Sequence, residues 1–160
     1  MRADVHVLDY DGGLVDASCI AVIAALQHFR RPDVNIEGED VTVYTLAERV
    51  PVALAMLHHP LCVTFSFFEQ GKMVVLDATL QEQQMSEGEM IVTANRHGEI
   101  CQIAKLGGVP TDALALLRCV DVAVAKVRDM NKTIAGALEM DAMKKDPGRM
   151  IAELSAENDR

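Results

Sequence analysis

A chain of 160 residues has room for one domain with a real core, or for a small domain with part of another. Half of its residues are hydrophobic, which excludes a disordered chain. Its net charge of -9 and pI near 4.9 make it a poor stand-alone binder of phosphate backbones, so contact with nucleic acid would need a local basic patch or a partner.

Residues 4–9 alternate in polarity and carry β-branched side chains, which predicts a strand. Its pairing is open: a later strand of this chain, or a larger sheet of which this is the end. Asp11-Gly12-Gly13 breaks it. Residues 15–29, with Ile20, Ile23, Ala24 and Leu26, predict a mostly buried helix with Asp16 as its N-cap. Arg30-Arg31-Pro32 stops that helix, because the residue before proline disfavours helical dihedrals. Strands are then expected at 41–45, 61–68, 73–76, 90–94 and 99–104. Short loops at 69–72 and 96–98 make an antiparallel meander of them. From Thr111 the period lengthens. Leu114, Leu117, Val120, Val124, Val127, Ile134 and Leu138 recur every three or four residues and predict a long amphipathic helix whose stripe covers the sheet. Pro147-Gly148 ends it, and a polar tail follows.

The four cysteines, Cys19, Cys62, Cys101 and Cys119, form no Cys-x-x-Cys pair, which argues against a zinc knuckle or a disulfide framework. Reduced thiols are expected. No signal-peptide run follows Met1, and no apolar stretch approaches the ~18 residues of a membrane span. The expectation is a soluble, intracellular chain without membrane contact.

Chemistry could reside in the cluster Asp4, His6, Asp9, Asp11 and Asp16. Carboxylates with a histidine at a strand-to-helix turn can hold Mg²⁺ or Mn²⁺. The plainer reading, which is favoured, is a turn at Asp11-Gly12-Gly13 with Asp16 as a cap. His58-His59 on extended backbone would point to opposite faces and not chelate one ion. Ser18 lacks a nucleophile-elbow context, and Gly107-Gly108 lacks the Lys-Ser/Thr of a P-loop. Arg30-Arg31, with Arg49, is a modest basic group. It suits phosphate contact, or more simply a helix C-terminus. Two tyrosines, four phenylalanines and no tryptophan offer no base-stacking platform.

Residues 4–21, containing Asp9-Tyr10-Asp11-Gly12-Gly13, resemble the last strand and helix of the first RNase PH domain. Phe29-Arg30-Arg31-Pro32-Asp33-Val34, residues 59–68 and Asn95-Arg96-His97-Gly98-Glu99-Ile100-Cys101 extend the resemblance to about residue 130. It implies an α/β, α+β layered RNase PH-like fold. A partial first domain (strand and helix, 1–52) would precede a second (53–145), in which an antiparallel meander packs on the long helix; 146–160 would be a polar tail. Family members run to about twice this span, so most of the first domain, with its phosphate-binding arginine, is expected to be missing from this chain. Active members attack RNA 3′ ends with phosphate, assisted by a divalent metal, and carry Asp-Val-Leu-Gln-Ala-Asp-Gly-Gly-Thr-Arg at this turn. Here Asp11 matches the turn aspartate, His6 stands where an aspartate is expected, and Leu14-Val15 replaces Thr-Arg.

The resemblance therefore implies the non-catalytic ring type of the RNA exosome, with no catalytic residue, cofactor or metal. Asp9 and Asp11 would be vestigial, and Arg30 and Arg31 are candidate RNA contacts. Implied partners are neighbouring ring subunits (the forty-one-type above all), cap subunits, and RNA threading a six-membered ring. The implied role is RNA processing and degradation, rRNA included, in nucleus, nucleolus and cytoplasm. The alternative is an active phosphorolytic 3′-exoribonuclease using Asp9 and Asp11.

Overall fold

The structure, a computed structural model, describes residues 1–38, 40–45, 48–108 and 110–144. The expected ends of the long helix at Pro147-Gly148 and of the polar tail lie outside these residues. Residues 1–13 form no strand, against expectation. A strand exists only through a partner's hydrogen bonds, and no described segment pairs with this one. It runs instead beside the first helix, where residues 1–6 flank a groove with Ala21, Val22, Ala25 and Phe29.

Helix α1 spans Leu14–His28. Its N-cap is Gly13 in the left-handed region, with no side-chain cap, so Asp16 is not the cap. The helix stops as Phe29 turns extended, its N–H donating to Ala25 O at 2.9 Å. Two small ladders follow. β1 (Arg30–Arg31) pairs with β4 (Val52–Ala53), and β2 (Val34–Glu37) pairs with β3 (Asp40–Val43). The strand expected at 41–45 is thus β3, one residue earlier at its start and two earlier at its end.

The main sheet holds β5 (Leu61–Phe68), β6 (Met73–Leu76), β7 (Gly88–Ala94) and β8 (Ile100–Leu106). It is antiparallel throughout, in the order β6-β5-β7-β8. The chain leaves β6 through a short helix α2 (Leu80–Met85) and returns on the other side of β5, so the strands do not follow in strict succession. A capping box builds α2: the Thr79 side chain accepts from the Glu82 amide, and the Glu82 carboxylate accepts from the Thr79 amide at 2.8 Å.

Helix α3 spans Ala113–Lys144. Leu61, Val63, Phe65 and Phe67 of β5 share a sheet face with Met90, Val92 and Ala94 of β7, and α3 covers that face with Cys119, Val120, Ala123, Val127 and Ile134. Leu114 and Leu117, expected in the stripe, are 63% and 61% exposed. Leu116, Met130 and Leu138 pack against the core with the named residues. The opposite face of β5 is closed as well, since Cys62, Thr64 and Ser66 are buried. There α1 meets Cys62 and Thr64.

Candidate functional site

The turn before α1 is held by its glycines. Gly12 has φ +96°, and the Ala78 carbonyl lies 2.2 Å from where a Cβ would sit. The backbone of the turn thus rests directly against the start of α2. Asp9 accepts from the Tyr10 amide at 2.9 Å, a local bond that shapes the approach. Asp11 is exposed and makes no hydrogen bond or ion pair among the described residues.

Asp16 has a structural task. Its carboxylate accepts from the Thr64 amide and from the Thr64 hydroxyl, each at 2.7 Å. β6 pairs with β5 only from Phe65 onward, so the Thr64 amide lies just past that ladder and the carboxylate takes the place of a strand. Replacing Asp16 with alanine is expected to cost about 2–3 kcal/mol, because it strands a buried amide donor. Asparagine, which retains one acceptor oxygen, should recover part of that. Urea unfolding of the two variants checks both.

The acidic residues expected as a cluster are dispersed. Asp4 pairs with Arg2 at 3.0 Å, His6 lies along α1, and Asp16 is bound to β5. Among the described residues, no three His, Cys, Asp or Glu side chains stand close enough to hold a metal ion. The described residues thus present no ready three-donor set of the kind that Mg²⁺ or Mn²⁺ takes.

Between α1, α2 and the sheet lies a cleft of about 330 Å³, lined by Tyr10, Leu14, Val15, Leu80, Gln83 and Glu89 among others, none of them basic. Tyr10 donates its hydroxyl to Gln83 Oε1 at 3.4 Å across the cleft. Leu80 and Gln83 escaped the sequence reading because α2 did. The Thr79-x-x-Glu82 spacing was the signal that could have found them.

Arg30 caps α1: Nη1 donates to the carbonyls of Gln27, His28 and Phe29 at 2.8, 3.2 and 3.2 Å. Arg31 is exposed in β1, and its charge bears on Asp33 nearby. Arg49 pairs with Asp33 at 2.9 Å and lies 3.8 Å above the Tyr44 ring. Its hydrogen bond holds the Asp33 carboxyl below the usual carboxylate range. His58 is exposed and His59 half-buried. Burial, then the charges of Arg96, His58 and His97, keeps His59 below its ordinary value.

The chain matches the 3′ exoribonuclease family in two parts, domain 1 over residues 1–32 and domain 2 over residues 58–126. It belongs to that family, the RNase PH family. Within it, the chain is similar to exosome complex components of the RRP45 type. It is 47% identical to that of Schizosaccharomyces pombe, 41% to that of Saccharomyces cerevisiae and 41% to that of Homo sapiens, with the whole chain covered each time. The chain spans 54%, 56% and 37% of those relatives' own lengths. Among solved structures, the fold matches an archaeal exosome core at TM-score 0.64 and 22% identity, over 81% of this chain and 48% of that one. It also matches an Archaeoglobus fulgidus exosome with RNA bound to the active site, at TM-score 0.62 and 23% identity, over 80% and 46%.

Proposed function

We propose that the chain serves as part of a non-catalytic ring subunit of the RNA exosome, scaffolding 3′-to-5′ RNA processing and degradation. The observation that carries this reading is the chemistry around the Asp9–Gly13 turn. Phosphorolysis needs a metal-holding carboxylate set and cationic groups for phosphate. Here Asp16 is committed to Thr64, and Leu14 and Val15 begin the helix where active members carry Thr-Arg. The cleft beside them has a carboxylate, Glu89, and no basic lining residue. The names of the RRP45-type relatives support membership of the complex.

On this reading residues 1–52 close the first RNase PH domain and 53–145 form the second. The partners are ring neighbours, the forty-one-type first, together with cap subunits and RNA in the shared channel. The location is nucleus, nucleolus and cytoplasm. The acidic chain then depends on other subunits for most of the positive charge that RNA requires. Arg31 is the better placed of the two arginines to add to it, since Arg30 is occupied at the helix end.

The test is phosphorolysis by the purified 160-residue chain, with short RNA, Mg²⁺ and inorganic phosphate. No nucleoside diphosphate above the protein-free control is expected. Diphosphate release that disappears in Asp11→Asn would overturn the scaffold reading in favour of an active phosphorolytic exoribonuclease.

A further inference from the structure

We propose that Cys19 and Cys62 form a paired oxidation site, which a hydroperoxide converts to an intramolecular disulfide joining α1 to β5. The two residues are far apart in sequence, yet their thiols cross at one point of the helix–sheet contact. Cys62 Sγ donates to the Val15 carbonyl at 3.7 Å. Val15 O is also the helical acceptor, four residues back, for the Cys19 amide. Cys19 Sγ in turn donates to the Pro60 carbonyl at 3.7 Å, two residues before Cys62. Each sulfur therefore lies against the backbone that carries the other. A disulfide there requires the two sulfurs to reach bonding distance across this helix–strand contact.

The pair is asymmetric, as a nucleophile and its resolving partner need to be. Cys19 is partly exposed, whereas Cys62 is buried at 5% exposure. The adjacent Cys62 side chain holds the Cys19 thiol well below its ordinary value, against burial and the nearby Asp16 carboxylate. The Cys19 side chain and burial push Cys62 up. Cys19, the more exposed sulfur, is thus the one that a peroxide reaches first, and Cys62 is the resolving partner behind it.

In the first step the Cys19 sulfur attacks one peroxide oxygen and the O–O bond breaks. This leaves a sulfenic acid on Cys19 and releases water (an alcohol from an alkyl hydroperoxide). In the second the Cys62 sulfur attacks the Cys19 sulfur. The S–S bond forms, the S–O bond breaks, and the departing hydroxide leaves as water with the Cys62 proton. Two thiols lose two electrons in total, and the peroxide gains them. Cys19 lies in the stretch matching domain 1 and Cys62 in the stretch matching domain 2, so the new bond fastens one family domain to the other.

The experiment is treatment of the folded 160-residue chain with hydrogen peroxide, followed by digestion without reductant and peptide mapping. The expected product is one cross-linked peptide pair, Cys19 with Cys62, lighter by two hydrogen atoms and released by dithiothreitol. In Cys62→Ser the Cys19 sulfenic acid has no resolving partner, so dimedone labelling at Cys19 should rise about tenfold over wild type. Far-UV circular dichroism confirms that this variant is folded. The proposal is overturned if Cys19 and Cys62 stay free at peroxide doses that oxidise the exposed Cys101. It is equally overturned if Cys19 proceeds to sulfinic acid with no cross-linked peptide.

Discussion

Gly12→Ala is expected to destabilise the protein by about 3–5 kcal/mol, read as a lowered urea midpoint with little change in slope. Two effects add. The residue sits at φ +96°, where an L side chain is strained, and its Cβ would fall 2.2 Å from Ala78 O and 2.8 Å from the Thr79 carbonyl carbon. Those atoms are backbone at the start of α2 and cannot swing aside. Gly13→Ala is the control. It shares a positive φ of 58°, but its nearest obstacle is the Asp77 carboxylate oxygen at 3.4 Å, so its cost should stay near 1–2 kcal/mol, of the order of one strained residue. Equal midpoints for Gly12→Ala and wild type would show that the turn does not rest on α2 as described. The prediction also bears on the reading of this turn. The fold itself demands glycine at Gly12, whatever chemistry the neighbouring aspartates do or do not perform.

Phe67→Ala should cost about 3–5 kcal/mol, the usual range for emptying a fully buried aromatic site. Phe67 has no exposed surface, sits one strand away from Met90, and has Lys105 Nζ at 5.8 Å from its ring centroid. The informative comparison is Leu117→Ala. By periodicity Leu117 belongs to the core stripe, yet it is 61% exposed, and its truncation should fall within about 0.5 kcal/mol of wild type. Thermal or urea unfolding of both variants side by side checks the assignment of the α3 face. A loss at Leu117 as large as at Phe67 would mean that the helix is rotated from the position described.

What was legible in the sequence is what local pattern dictates. Val63, Phe65 and Phe67 alternate between two turn signals, and β5 and β6 occupy the expected spans 61–68 and 73–76. The long helix was legible from its period, but the period left the helix face uncertain at its start. Leu114 and Leu116 both fit a three-to-four spacing, and only the position of the sheet decides between them. The strand expected at 4–9 failed for the complementary reason: alternation signals a capacity to pair, and the partner must be supplied elsewhere. Asp16 looked like a cap because a carboxylate near a helix start usually is one, and its actual acceptor role depends on Thr64, which sequence proximity does not reveal. The strand order β6-β5-β7-β8 was hidden with α2, whose six residues are too few to show a period. For the candidate site, the identities of Asp11, Leu14 and Val15 were readable. Their surroundings were not, because Glu89, Leu80 and Gln83 arrive from other elements.

The two small ladders, β1–β4 and β2–β3, bury little: both strands of the first are exposed, as is all of β3. Their contribution is better sought in chain entropy. The tether from Asp16 to Thr64 spans 48 positions. The length-dependent part of closing such a loop costs about 3 kcal/mol, similar to what the tether returns. Both ladders lie wholly inside that loop, and the pairing of Arg30 with Ala53 bridges about half of it. Once they form, the chain that remains to be closed is about half as long. The ladders therefore lower the entropic cost that α1 must overcome to dock by about 0.6 kcal/mol, the value of one halving of the loop, without needing to touch the core.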